Sequence, residues 1–357
     1  MSKRIWSSVL LVMLSVVLVL SGCSRTKEPK EALSGAAVKA LEMKSYVLQN
    51  QIKILDLSVS AGEAESPEVG AVLSMLKNAE INIRQIYQKD PMQAEATLEI
   101  KLTGDMATTL TIPFVMTPEK MYVKIPSIPF LPMPETAVGK FLVLDMKELA
   151  EQSGGEFNPD MFDSEKTQKL SAELMAALFA EYNSETYFKN LDPKEAALPE
   201  GFKAKQVVQF AITNDNVKDA ATILINQALP KMLDIIGKEE YRSMLQLAPE
   251  DIEQVKKDLQ SGSQDDLGKA LDELKSHLQI HQFTVDTAID DNNYPAYYDI
   301  NANVEINDPD TQENVKLAVQ MTSHFSQINE KPAFEIGIPT DTMTLDELQQ
   351  EMSNFGY

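Results

Sequence analysis

Residues 92–103 alternate without a break. Met92, Ala94, Ala96, Leu98, Ile100 and Leu102 take one set of positions, and Gln93, Glu95, Thr97, Glu99, Lys101 and Thr103 take the other. Successive side chains of a strand point to opposite faces, so this period of two predicts a half-buried antiparallel strand with its apolar set turned to the core. The pattern repeats in Leu110, Ile112, Phe114 and Met116, then in Met121, Val123 and Ile125. It returns late in the chain, in Tyr298, Ile300, Ala302, Val304 and Ile306 and in Val315, Leu317, Val319 and Met321. Further strands are expected at Ser45–Leu57, Ile81–Tyr87, Phe141–Met146, 203–213, Ile280–Ile289 and Phe334–Ile338.

Between these runs the period changes to that of a helix. Residues 32–44 place Leu33, Ala37 and Leu41 on one side, and Val69, Val72, Leu73 and Leu76 recur at helical spacing. Residues 165–183 carry Leu170, Leu174, Leu178, Phe179 and Tyr182. Residues 217–236 form the most apolar helix, with Leu224, Ile225 and Met232 among its members, and Pro230 is expected to kink it. Pro249 opens a helix at 249–260, and another is expected at 266–278. Thr344 and Glu347 have capping-box spacing for a short last helix. Strands grouped together, rather than alternating with helices, place the chain in the α+β class. No Pro/Gly/Ser-rich linker divides residues 32–357, so they read as one domain with a helical insertion at about 165–278.

The chain starts with Lys3-Arg4, an apolar run from Val9 to Leu20, and then Leu20-Ser21-Gly22-Cys23. A basic start, a short apolar stretch and small residues describe a secretory leader, and the run is too short to span a bilayer. The small residues lead directly into the chain's single cysteine. This arrangement resembles the lipobox of bacterial lipoproteins. The resemblance implies cleavage after Gly22, acylation of Cys23, residues 23–31 as a tether, and anchorage on the extracytoplasmic face of the cell membrane. Formal charge is −22 for the whole chain and −24 once Lys3 and Arg4 leave with the leader. Such a surface repels nucleic-acid phosphates, which argues against a nucleic-acid partner, and it also repels anionic headgroups. With Cys23 acylated no thiol remains for a disulfide, a metal or nucleophilic catalysis.

Lys44-Ser45-Tyr46 leads into the first strand, Met121-Tyr122-Val123-Lys124 lies in the meander, and Asp290 to Pro295 precede a late strand. With the order helix, long strand, meander, helices, meander, these segments resemble the bacterial lipoprotein-carrier superfamily: the Lol-type carriers, the mycobacterial lipoproteins LppX and LprG, and above all the LolA-like lipoproteins of Gram-positive bacteria. The resemblance implies a strongly curved antiparallel sheet, an unclosed barrel, with helices packed on its concave face and acyl chains held between. It brings no catalytic residue. The chain is longer than the small carriers through its helices at 165–190 and 217–278, which can cover such a space or fill it.

Motifs of catalysis are absent from the sequence: no Gly-x-Ser-x-Gly elbow, no P-loop, no dinucleotide fingerprint. His277 and His281 are spaced i, i+4 without the glutamate of a zinc-protease helix, and Asp290-Asp291-Asn292-Asn293 lacks calcium-loop spacing and reads as a turn. The proline-rich stretch Ile125–Pro134 is either a lip beside a cavity or a rigid loop over the sheet end. The reading is therefore of a non-enzyme without cofactor or metal, a tethered binder or carrier of a lipid or other amphiphile. The expected cavity wall is Leu174, Leu178, Leu224, Ile225 and Met232. The alternative is an envelope interaction protein with a packed core and no ligand.

Overall fold

The computed structural model describes residues 26–60, 70, 73, 75–103, 107–127, 133–148, 164–261, 277–308 and 313–355. Cys23 and its leader, residues 266–276 of the helix expected at 266–278, and residues 128–132 lie outside them.

Among the described residues, twelve strands form one curved, unclosed sheet. They are β1 (Ser45–Ser60), β2 (Glu80–Gln88), β3 (Gln93–Leu102), β4 (Thr108–Met116), β5 (Lys120–Lys124), β6 (Phe141–Asp145), β7 (Phe188–Leu191), β8 (Gln206–Ala211), β9 (Leu278–Ile289), β10 (Pro295–Asp308), β11 (Glu313–Ser326) and β12 (Thr342–Thr344). Their spatial order is β12-β6-β5-β4-β3-β2-β1-β11-β10-β9-β8-β7. The first meander and the last are thus joined at β1–β11, a ladder running from Val47↔Ser326 to Ser60↔Asn314. The sheet is mixed rather than wholly antiparallel, because β12 pairs in parallel with β6. β7 and β8 lie within the stretch read as a helical insertion and extend the sheet beyond β9.

The helices are α1 (Pro29–Ala40), α2 (Ser164–Ala180), α3 (Ser184–Tyr187), α4 (Val217–Ile223), α5 (Leu229–Ile236), α6 (Glu239–Met244), α7 (Pro249–Ser261) and α8 (Leu345–Phe355). Local chemistry sets their ends. Pro29 opens α1, where a missing N–H costs nothing, and the Glu28 carboxylate accepts from Glu31 N–H. Asn183 caps α3 by accepting from Glu185 and Thr186 N–H. Thr344 and Glu347 form the reciprocal bonds of a capping box at α8, 2.8 and 3.2 Å long. The segment expected to kink at Pro230 contains a π turn, Leu224–Ala228, between α4 and α5. Leu229 N–H reaches five residues back to the Leu224 carbonyl just before Pro230, which has no N–H to give.

Strand register sorts the side chains into two faces. One face is apolar along a row that crosses nine strands. It runs Phe188–Phe210–Val285–Ile300–Met321 through β7, β8, β9, β10 and β11, and continues Ile52–Ile81–Ile100–Leu110 through β1 to β4. The opposite face carries the charges, including Lys53, Glu80, Glu99, Lys101, Asp286 and Asp299.

Burial does not follow the alternation in β2 to β5. The fully buried row there is Val47–Ile86–Glu95–Val115–Tyr122, on the charged face. Glu95, expected in solvent, is 3% exposed. Its carboxylate accepts the backbone N–H groups of Glu335, Ile336 and Gly337 at 2.7, 2.9 and 2.6 Å. Residues 334–338 are therefore an irregular loop laid over β3 and not the short strand that Phe334, Ile336 and Ile338 predict.

Candidate functional site: the apolar face of the sheet

The apolar face is covered at its two ends. At the β7–β9 end, Phe188, Val208 and Phe210 pack with Ala32 and Ala36 of α1, Tyr182 and Tyr187, and Ala220 of α4; Leu178 and Phe179 of α2 press on the same cluster. Lys30 ties α1 to the end of α2 by donating to the Ala180 and Tyr182 carbonyls. At the β6–β12 end, Met343, Ile125 and Ala137 pack with Met133, Leu142 and Leu348 of α8. Between these ends, Ile300, Met321, Ile52, Ile81, Ile83, Leu98, Ile100, Ile112 and Leu110 are only half-buried.

Apart from the Asp308–Glu313 pair at the far end of β10 and β11, no strand residue whose register places it on this face carries a formal charge. The face does carry a polar island. Thr287, Tyr298, Ser323 and Asn50 follow one another along a single cross-strand row from β9 to β1, which then continues into Ile83, Leu98 and Ile112. Tyr46 stands beside it, stacked on Tyr87 at 5.0 Å between ring centroids and edge-on to Phe325 at 5.2 Å; Phe325 meets Tyr298 at 6.4 Å.

Among the described residues, the side-chain polar atoms of Tyr46, Tyr298, Asn50 and Ser323 make no hydrogen bond, and no buried side-chain N or O lacks a partner. These four groups therefore open onto accessible space. Desolvation nevertheless pushes the Tyr46 and Tyr298 phenols up to about 12. Accessible surface combined with a strongly desolvating surrounding marks side chains that line a recess rather than stand on open surface. Polar groups there without an internal partner are available to a visiting hydrogen-bonding group.

The cavity wall expected from sequence is not brought together in one cluster. Leu178 belongs to the packed β7–β9 end. Leu174 packs instead with Leu170, Tyr241, Met244 and Ile235, a small core among the helices. Leu224, Ile225 and Met232 are half-buried, on the π turn and α5, against which α2 lies. In the proline-rich stretch, Ile125 is buried and Met133 packs on the cluster of Ile125, Ala137 and Met343, while residues 128–132 lie outside the described residues.

Three surface depressions of about 220, 330 and 350 Å³ lie elsewhere: between α5 and α7 around Lys256, beside α8 around Glu347, and around Glu305 at the far end of β10. None is lined by the expected wall or by the polar island.

On the other face, His281 Nε2 lies 3.4 Å from Glu305 Oε2, and among the described residues no three His, Cys, Asp or Glu side chains gather around a point. His324 sits against the rings of Phe202 and Tyr297, where burial lowers its pKa. Asp290 accepts from Asn292 and Tyr294 N–H, and Asn293 has a φ of 66°, which is turn chemistry.

The polar island is the part that sequence reading missed. Its signal was present: Asn50 breaks the apolar set Leu48-x-x-x-Ile52, and Ser323 breaks Met321-x-x-x-Phe325. Only the β1–β11–β10 register shows that the two interruptions meet. Among the described residues no helix is long and apolar enough to cross a membrane. No protein-family model matches the chain, and no curated protein matches it.

Proposed function

We propose that the protein is a membrane-tethered envelope lipoprotein of the LolA-like kind, which holds a lipid or other amphiphile against the apolar face of its sheet. One observation carries this reading: an apolar face, free of strand charges except for Asp308 and Glu313 at its far end, half-exposed from β10 to β4 and walled by helices at both ends. A soluble protein leaves so broad an apolar surface open chiefly where something binds it. The sheet's curvature and the helices on its apolar side support the likeness to the carriers, in which that side is the concave one. The leader and Cys23 supply the tether. The protein works by binding, with no reaction of its own.

The test is native mass spectrometry of the full processed chain, extracted from its membrane in mild detergent. A lipid retained in addition to the anchor, at about one per chain, is the expected result. A chain that carries its anchor alone, and that takes up no added lipid, would overturn the carrier and leave an envelope interaction protein whose partner covers the same face.

A further inference from the structure

We infer that the ligand of this face is a single- or double-chain amphiphile with an uncharged, hydrogen-bonding head, seated at Tyr46, Asn50, Tyr298 and Ser323 with its chain along Ile83, Leu98 and Ile112. This inference rests on the lipid-binding reading above and adds to it the chemical class of the head.

Three observations lead to it. The first is the direction of the row. Tyr298, Ser323 and Asn50 pass directly into Ile83, Leu98 and Ile112, so polar and apolar contacts lie in one line across six strands. At about 4.8 Å between strands, the three apolar positions beyond Asn50 span roughly 10–15 Å, which suits much of an acyl chain.

The second is the available chemistry. The island offers two phenols, a primary amide and a hydroxyl, all able to donate and accept. Ser323 is 8% exposed and its hydroxyl has no partner among the described residues. A head with hydroxyl or ester oxygens satisfies such groups in both directions.

The third is the missing counter-charge. Apart from Asp308 and Glu313, ten residues along β10 and β11 from Tyr298 and Ser323, the strand residues of this face include no Lys, Arg, Asp or Glu, and neither of those two lies at the island. A phosphate or carboxylate desolvated there would have no cation, and an ammonium no anion, and an unpaired charge in such surroundings is strongly disfavoured. Both phenols stay neutral at physiological pH, so the island does not become anionic itself.

The test uses the full lipidated chain in phosphatidylcholine vesicles and three probes with the same diazirine-bearing tail: a monoacylglycerol, a lysophosphatidic acid, and a headless alkane. Photolabelling of peptides from residues 80–102 is the readout. The monoacylglycerol is expected to label at least tenfold more than the lysophosphatidic acid. Tyr298→Phe combined with Asn50→Leu is expected to lower monoacylglycerol labelling about three- to tenfold while leaving the alkane unchanged, as loss of one or two neutral hydrogen bonds requires. Circular dichroism shows whether that variant folds; if it does not, Ser323→Ala takes its place. Equal labelling by all three probes, or by the two headed ones, would overturn the neutral-head assignment and leave lipid binding standing. Absence of labelling by every probe would remove both.

Discussion

Asp286 and Asp299 stand directly opposite one another on β9 and β10, two carboxylates on the charged face with no cation between them in the cross-strand row. Asp299 is buried and accepts from Asn301 and Gln320; Asp286 accepts from Gln209. Burial first, and then the Asp299 charge, raise the Asp286 pKa above its ordinary value. A carboxyl whose pKa is raised by folding binds its proton more tightly in the native state than in the unfolded chain. Its penalty is absent below the unfolded value and grows as pH rises through the native one. Asp286→Asn, which keeps an oxygen for Gln209, is therefore expected to raise the melting temperature at pH 7 and to leave it unchanged near pH 3. A melting series across that range checks it, and a variant equally stabilised at both ends would contradict the cause given.

Glu95 organises the loop over β3. Three backbone N–H groups converge on its carboxylate, and Gly337, at a φ of 69°, turns the chain so that the last of them points inward. Glu95→Ala removes the acceptor and leaves those donors facing a buried void. The expected loss is about 2–4 kcal/mol, from the cost of unsatisfied buried donors and of the cavity. Glu95→Gln keeps one acceptor oxygen and sets an NH₂ against an N–H, so its loss is expected to be smaller but measurable. Urea denaturation of the three proteins gives the order.

Strand existence was readable because alternation is local: residues 92–102 and 298–306 carry their period within a single window. Which face is buried was not readable there. Glu95 is buried where residues 335–337 bind its carboxylate from more than two hundred residues away, and no window of β3 contains that information. The same loop misleads in the other direction. Phe334, Ile336 and Ile338 alternate as a strand does, but the N–H groups between them are taken by a side chain and form no ladder. β12, at three residues, is too short to show any period. The candidate site follows the same logic: the half-exposed row and its polar island exist only through the registers that join β1 to β11 and β11 to β10.

Cys23 is expected to carry the anchor, because Leu20-Ser21-Gly22 precede it and no other cysteine exists. Cys23→Ala is expected to accumulate uncleaved or to leave the membrane fraction. Fractionation and intact mass of the product decide this; normal processing with unchanged membrane association would refute it.

A pair of tryptophan substitutions separates packed core from open face. Trp6 is the only tryptophan and lies ahead of Cys23, so the processed chain contributes no background emission. Leu178 presses on the closed cluster around Phe188 and Phe210. Leu178→Trp must overpack it, at an expected cost of about 1–3 kcal/mol. Leu98 lies on the half-buried row beyond the polar island. Leu98→Trp has room to turn its ring along the face, so its melting temperature is expected to stay close to that of the parent. The same ring occupies the place given to the acyl chain, and labelling by the monoacylglycerol probe is expected to fall at least fivefold. Its emission reports the rest: a spectrum shifted to the blue before lipid is added indicates a ring in the recess, and a further shift on adding monoacylglycerol indicates shared occupancy. If Leu98→Trp destabilises the chain as much as Leu178→Trp does, the face between the helices is a packed core, and the reading of an open lipid site falls with it.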